Sequence, residues 1–167
     1  MNFIQRTSSF IYQIEKALAI VILSVMTISL VAGVIFRYFL LSPLTWSDEV
    51  AMFALVWVTF LGAGICIKRE QLAAVSFVMD RFPGKTRHLL LSAGLIVVIL
   101  FCLYFLYLSI DWILDPTIRF QKSDALALPM MIPYSIVPIG FCFMTIHFID
   151  MFLLGMSMLQ KEQSEVA

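Results

Sequence analysis

Few side chains in this sequence could do chemistry, and most of them stand where an apolar run begins or ends. The densest grouping is Pro43-Leu44-Thr45-Trp46-Ser47-Asp48-Glu49, which follows closely on Phe36-Arg37-Tyr38-Phe39. Thr45 and Asp48 have capping-box spacing, and carboxylates in the first turn of a helix are favoured by its dipole. Capping therefore accounts for Asp48. Glu49 differs, because Phe53, Trp57, Phe60 and Gly64 continue from it at spacings of three or four along one helical face. An acid heading an aromatic stripe is suited to face protein. Arg37 is the cation placed to pair with it, which would lower the cost of holding both near lipid.

The remaining candidates are sparse. Cys66, Cys102 and Cys142 are distributed one to an apolar run and read as small core hydrophobes rather than disulfide partners. His88 and His147 lack ligand spacing on a single helix, so neither a metal site nor haem ligation is expected. His147, three residues before Asp150, is expected to reach the cytoplasmic headgroups. Pro129, Pro133 and Pro138 crowd the last apolar run, with Tyr134 and Gly140 among them. Proline removes a backbone donor and bends a helix, and in lipid the freed carbonyls must find other donors. These prolines are read as a kink in the outer half of one helix, since no matching broken segment appears elsewhere to form a solute site. There is no Gly-rich phosphate loop, no nucleophile–base arrangement and no basic nucleic-acid patch. Enzymatic activity, a cofactor and a nucleic-acid partner are all unexpected.

The elements that must position these residues follow from composition. Of 167 residues, 62% are hydrophobic and 13% charged, against about 25% charged in a soluble domain. Four stretches lack Asp, Glu, Lys and Arg: residues 17–36, 50–67, 89–110 and 125–149. About 20 apolar residues cross a hydrocarbon core about 30 Å thick, so each stretch fits one crossing. Barrel strands would alternate in polarity, and Leu95-Ile96-Val97-Val98-Ile99-Leu100-Phe101 does not. The first run also exceeds the 7–15 apolar residues of a signal peptide. The expectation is an all-α integral membrane protein: one membrane domain over 1–167 with four transmembrane helices.

Two further segments are read as amphipathic interfacial helices on the cytoplasmic surface, about 3–16 and about 71–82, with apolar positions at helical intervals beside basic ones. Ser29 with Gly33, and Gly62-Ala63-Gly64, are expected to let helices bundle closely. Arg6, Lys16, Lys68, Arg69, Arg81, Lys85, Arg87 and Lys161 fall on one side of a four-span topology, against Arg37, Arg119 and Lys122 on the other. That asymmetry places both termini in the cytoplasm. Within the spans only His147 is ionisable. Ion-coupled carriers keep polar groups near the midplane, so this chain is not expected to hold a transported solute.

At this point the residues resemble a family, the small DctQ-type membrane subunit of tripartite ATP-independent periplasmic (TRAP) transporters. The resemblance rests on Phe36-Arg37-Tyr38, Trp46-Ser47-Asp48-Glu49, Trp57 with Phe60-Leu61-Gly62-Ala63, Lys68-Arg69-Glu70, and Leu128-Pro129, Tyr134 and Pro138. Where the family often places a histidine after the basic turn, Gln71-Leu72-Ala73-Ala74 has none. The resemblance implies a scaffold in the bacterial inner membrane that binds neither solute nor sodium itself. Its partners would be membrane lipids, a large multi-span subunit carrying the sodium and substrate sites, and a periplasmic substrate-binding protein delivering organic acids such as dicarboxylates or sialic acid. It assigns Arg37, Asp48, Glu49, Phe53, Trp57, Phe60 and Gly64 to the large-subunit interface, and Arg119, Gln121, Lys122 and Asp124 to contact with the binding protein. The competing readings are a self-sufficient, homo-oligomeric four-span transporter or channel, and an anchor for a redox complex.

Overall fold

The computed structural model describes residues 3–69 and 84–165, and side-chain surroundings for 4–69 and 90–155. The interfacial segment expected over 71–82 lies outside them, as do the side chains of Arg81, Lys85, Arg87 and His88. The described chain is mostly helical: α1 (Phe3–Tyr38), α2 (Thr45–Lys68), α3 (Gly84–Leu114), α4 (Pro116–Phe120), α5 (Met131–Tyr134) and α6 (Ile136–Glu165). In lipid the backbone must satisfy its own polar groups, and a helix does so within one segment. Four helices are long and apolar enough to cross a membrane: Ile4–Tyr38, Thr45–Lys68, Leu90–Leu114 and Met131–Gly155.

The boundaries depart from the charge-free runs in three places. Residues 3–16 and 17–36 lie on one unbroken helix of 36 residues, about 54 Å long at about 1.5 Å per residue. The third span continues past Ile110 to Leu114 and carries Asp111 on its last turns. Residues 125–130, expected inside the fourth span, are not helical. They close a turn in which Ser123 N–H donates to Leu128 O (2.9 Å) and Ala127 N–H to Ser123 O (3.1 Å). Ala127 takes a left-handed backbone there, φ 51°.

The prolines explain where that last helix starts. Pro129 precedes α5 and pairs with Lys122 in an isolated bridge. Pro133 lies in the four-residue α5, and Pro138 sits in the first turn of α6, where a missing N–H leaves no bond unmade. Ser135, between them, keeps helical angles (φ −59°, ψ −22°). Pro133 and Pro138 thus stand at the start of the span, while Pro129 lies in the loop before it, outside the helix in which the kink is expected.

Laterally, α1 packs along α2, α2 along α6, and α6 along α3, with α6 also reaching α1. The most enclosed of the four is accordingly the last, with 39% of its apolar window buried against 11% for α1 and for α3. An apolar core of Ile67, Cys102 and Phe148 is flanked by Leu95, Val98, Ile99, Phe141 and Met144. Small residues act as anticipated at two points: Gly33 lies against the Ser47 side chain, and Gly64 against Glu15.

Candidate functional site

The ion pairs of the described residues lie toward the two ends of the bundle. At one end Arg37 Nη2 donates to Asp48 Oδ2 at 2.9 Å, with both side chains more than half exposed. An ion pair so open to solvent is worth about 0–1 kcal/mol. Leu44 holds the N-cap of α2 without a side-chain bond, so the Thr45–Asp48 capping box does not form. Asp48 has turned to Arg37 instead.

Glu49 is therefore not the partner of Arg37. Its Oε2 accepts from the backbone N–H groups of Leu126 (2.9 Å) and Ala125 (3.2 Å), 77 and 76 positions away. One carboxylate oxygen thus ties the loop before α5 to the first turn of α2. Two turns deeper, Trp57 Nε1 donates to Pro133 O at 3.0 Å, and Ser135 Oγ donates to Ile132 O at 2.7 Å. These donors meet carbonyls at the bent start of the fourth span, the role expected of neighbours and hydroxyls there. Phe60 lies against Gly140, where any Cβ would overlap its ring, and meets Phe141 edge-on at 5.8 Å. The face headed by Glu49 does face protein, and the protein it meets is the chain's own: the loop at 125–126, α5, α6 and, through Gly64, α1. Phe53, Trp57 and Phe60 remain half-buried and keep part of their surface outside these contacts.

The opposite end of the bundle holds a cluster that sequence reasoning missed. His147 is 1% exposed and does not reach the headgroups. Its Nε2 lies 2.9 Å from Glu15 Oε2 and its Nδ1 2.9 Å from Ser8 Oγ. With Glu15 ionised, Nε2 carries the hydrogen and donates, while the rotatable Ser8 hydroxyl serves Nδ1 whether or not that nitrogen is protonated. Beside it Lys68 Nζ donates to Asp150 Oδ2 at 2.5 Å. Asp150 is 1% exposed, and its other oxygen has no partner among the described residues. Arg69, next along, donates from Nε to the Tyr12 hydroxyl (2.8 Å) with its guanidinium over the ring.

The signal for this cluster was present in pieces. Ser8, Ile11 and Glu15 share a face of α1, Gly64 and Lys68 a face of α2, and His147 and Asp150 a face of α6, each at spacings of three or four. Nothing in a linear reading joins the three sets.

The residues assigned to periplasmic contact lie on and after α4. Asp115 caps that helix, its carboxylate accepting from Thr117 N–H at 2.8 Å and from the Thr117 hydroxyl. Those donors hold its pKa below the ordinary aspartate value, the hydroxyl contributing most and the backbone N–H next. Arg119, Gln121, Lys122 and Asp124 are all exposed. Among the described residues no group of three or more His, Cys, Asp or Glu side chains could hold a metal ion, and the three cysteines are free.

Comparison with known proteins adds a family to this geometry. The sequence model for the DctQ component of tripartite ATP-independent periplasmic transporters matches residues 26–158. The isethionate TRAP transporter permease protein DctMQ of Oleidesulfovibrio alaskensis is 27% identical over 63% of this chain and 16% of its own length. The ectoine TRAP transporter small permease protein TeaB of Halomonas elongata is 27% identical over 74% of this chain and 64% of its own. The C4-dicarboxylate TRAP transporter small permease protein DctQ of Vibrio cholerae is 24% identical over 89% and 74%. The chain thus spans about a sixth of the first of these relatives and under two thirds of the second.

Proposed function

The chain belongs to the DctQ component family of tripartite ATP-independent periplasmic transporters, and on that premise we propose that it is the fixed scaffold subunit of a sodium-coupled system taking up organic acids. The observation that carries this reading is where its polar groups go. Arg37, Asp48, Glu49, Trp57, Glu15, His147, Lys68 and Asp150 are engaged with one another or with the chain's own backbone. Among the described residues that leaves no charged pathway along the bundle and commits these side chains to holding α1, α2 and the fourth span together.

In this reading the sodium and solute sites reside on a large multi-span partner in the bacterial inner membrane, and a periplasmic protein delivers the solute. The relatives are named for isethionate, ectoine and C4-dicarboxylate, which suits a small subunit that takes no part in solute choice. The chain itself performs no catalysis and needs no cofactor. Both termini are cytoplasmic, as the Lys and Arg distribution requires. The half-buried Phe53, Trp57 and Phe60, with Arg37 and Asp48 above them, offer the large subunit an edge that Glu49 and Gly64 hold in place from within. Arg119, Gln121, Lys122 and Asp124 form the outward surface offered to the binding protein.

The test is to express the tagged chain in its native host, extract it in nanodiscs and identify copurifying proteins by mass spectrometry. A stoichiometric, larger and very hydrophobic partner is expected, with uptake lost when this chain is deleted. Recovery of the chain alone as a defined homo-oligomer that moves solute into liposomes would overturn the scaffold reading.

A further inference from the structure

Two span helices keep a broad free face, and the two faces differ in chemistry. On α1 the exposed residues include Ile20, Val21, Ile28, Val31 and Val34, and the hydroxyls of that region are already spent. Ser24 Oγ donates to Ile20 O (2.8 Å) and Thr27 Oγ1 to Leu23 O (2.9 Å). Such a face asks nothing of its surroundings but apolar contact.

The free face of α3 is different. Cys102, Ser109 and Ile113 are buried against the bundle, and the opposite side exposes Val97, Leu100, Tyr104 and Tyr107. Tyr104 is 60% exposed and Tyr107 70%. Neither phenol hydroxyl has a hydrogen-bond partner among the described residues. Depth decides what this means. Phe105 stacks on Phe141 at 5.7 Å, and Phe141 meets Phe60 of α2, so Tyr104 lies at the level of the middle of the bundle. It is ten residues from Leu114 and fourteen from Leu90 in the span, about 15 Å and about 21 Å along the axis. A helical side chain leans toward its own N-terminus, which carries the Tyr104 hydroxyl further from the nearer end. Snorkelling to water is out of reach, and acyl chains supply no hydrogen-bond partner.

We propose that the Tyr104–Tyr107 face of α3 is the surface on which a transmembrane helix of the large partner subunit docks, that helix presenting a backbone carbonyl or polar side chain to the Tyr104 hydroxyl at mid-depth, with Tyr107 one turn nearer the Leu114 end of the same face. The inference rests on the scaffold reading above and specifies its interface, leaving the α1 face to lipid. The ring sequence Phe105–Phe141–Phe60 makes the surface continuous with the half-buried stripe of α2, so both belong to one seam.

The experiment uses the intact complex in membranes of the native host. Tyr104→benzoylphenylalanine and Ile28→benzoylphenylalanine chains are irradiated and their adducts identified by mass spectrometry. The position-104 probe is expected to join the large subunit, and the position-28 probe to yield no protein adduct. In parallel, Tyr104→Phe, which keeps the ring and removes only its hydroxyl, should weaken recovery of the large subunit by about threefold, the size of an average interhelical hydrogen bond in a membrane. Adducts from position 104 to lipid or to a second copy, in a preparation where the large subunit still copurifies, would overturn this assignment and leave the scaffold reading standing. A preparation with no large subunit at all would overturn both.

Discussion

Glu15 and His147, 132 positions apart, meet at 2.9 Å with side chains 1% and 0% exposed. Their meeting depends on Gly64, whose missing Cβ leaves the space the Glu15 carboxylate occupies. The pair fastens α1 to α6 at the end of the bundle opposite Arg37, and Lys68 with Asp150 fastens α2 to the same helix one turn further on.

Gly64→Ala should therefore destabilise the protein by about 1–3 kcal/mol, the usual cost of overpacking, because Glu15 must leave His147 to make room. Glu15→Ala alone should cost about 1–3 kcal/mol, because it leaves a buried ring nitrogen of His147 without its hydrogen-bond partner. In the Glu15→Ala background, Gly64→Ala should be nearly neutral. Thermal unfolding of the four variants in detergent or nanodiscs measures the cycle, and additive effects would show that the two residues do not share the space.

Glu49→Ala removes the acceptor for two backbone N–H groups, Ala125 and Leu126. Ala125 is exposed and Leu126 half-buried, so water replaces the acceptor in part and the loss costs about 0.5–1.5 kcal/mol. The loss should be local, so amide exchange at 125 and 126 should accelerate well before α1 or α3 is affected. Glu49→Gln keeps an acceptor oxygen and should restore most of the protection, whereas Arg37→Ala should leave these amides unchanged.

Trp57→Phe preserves an aromatic ring in the stripe and deletes only the donor to Pro133 O. One hydrogen bond of this kind is worth about 1 kcal/mol. A matching fall in thermal stability is expected, with the bundle otherwise intact by circular dichroism. No change would mean that water or another group meets the Pro133 carbonyl equally well.

Asp115 supplies a pH dependence with a defined sign. The Thr117 hydroxyl and N–H depress its folded-state pKa below the unfolded one. Its contribution is thus present above the ordinary aspartate value and lost as pH falls through the lower, folded value. Fraying of α4 should appear only in that acid range, read as faster amide exchange at Thr117, and Asp115→Asn should remove the pH dependence.

The spans were legible because lipid imposes a one-dimensional rule. A run without charge long enough to cross must satisfy its backbone as a helix, and the run 89–110 needed only composition to be found. The exceptions have local causes that composition does not register. Residues 125–130 carry one overt breaker, Pro129, but it is the turn closed by Ser123 and Leu128, with Ala127 in a left-handed conformation, that ends their claim to the span. The polar groups Arg37, Asp48, Glu49 and Trp57 were legible as a set, although not in their pairing. Asp48 and Glu49 are adjacent in sequence and point about 100° apart on a helix, so one reached Arg37 and the other the loop at 125–126.

The sequence by itself determined that this is a four-span helical membrane protein, which end of each helix is polar, and the family to which it is similar. Those properties depend on hydropathy, charge and short motifs, all carried by neighbouring residues. Only the tertiary structure decided that Ser8, Glu15, Gly64, Lys68, His147 and Asp150 form one cluster, and that the stripe headed by Glu49 is engaged within the chain. It also left the Tyr104 and Tyr107 hydroxyls without a hydrogen-bond partner among the described residues. Each of those outcomes depends on which helix lies beside which and on its rotation about its axis, and the packing of α1, α2, α3 and α6 sets both.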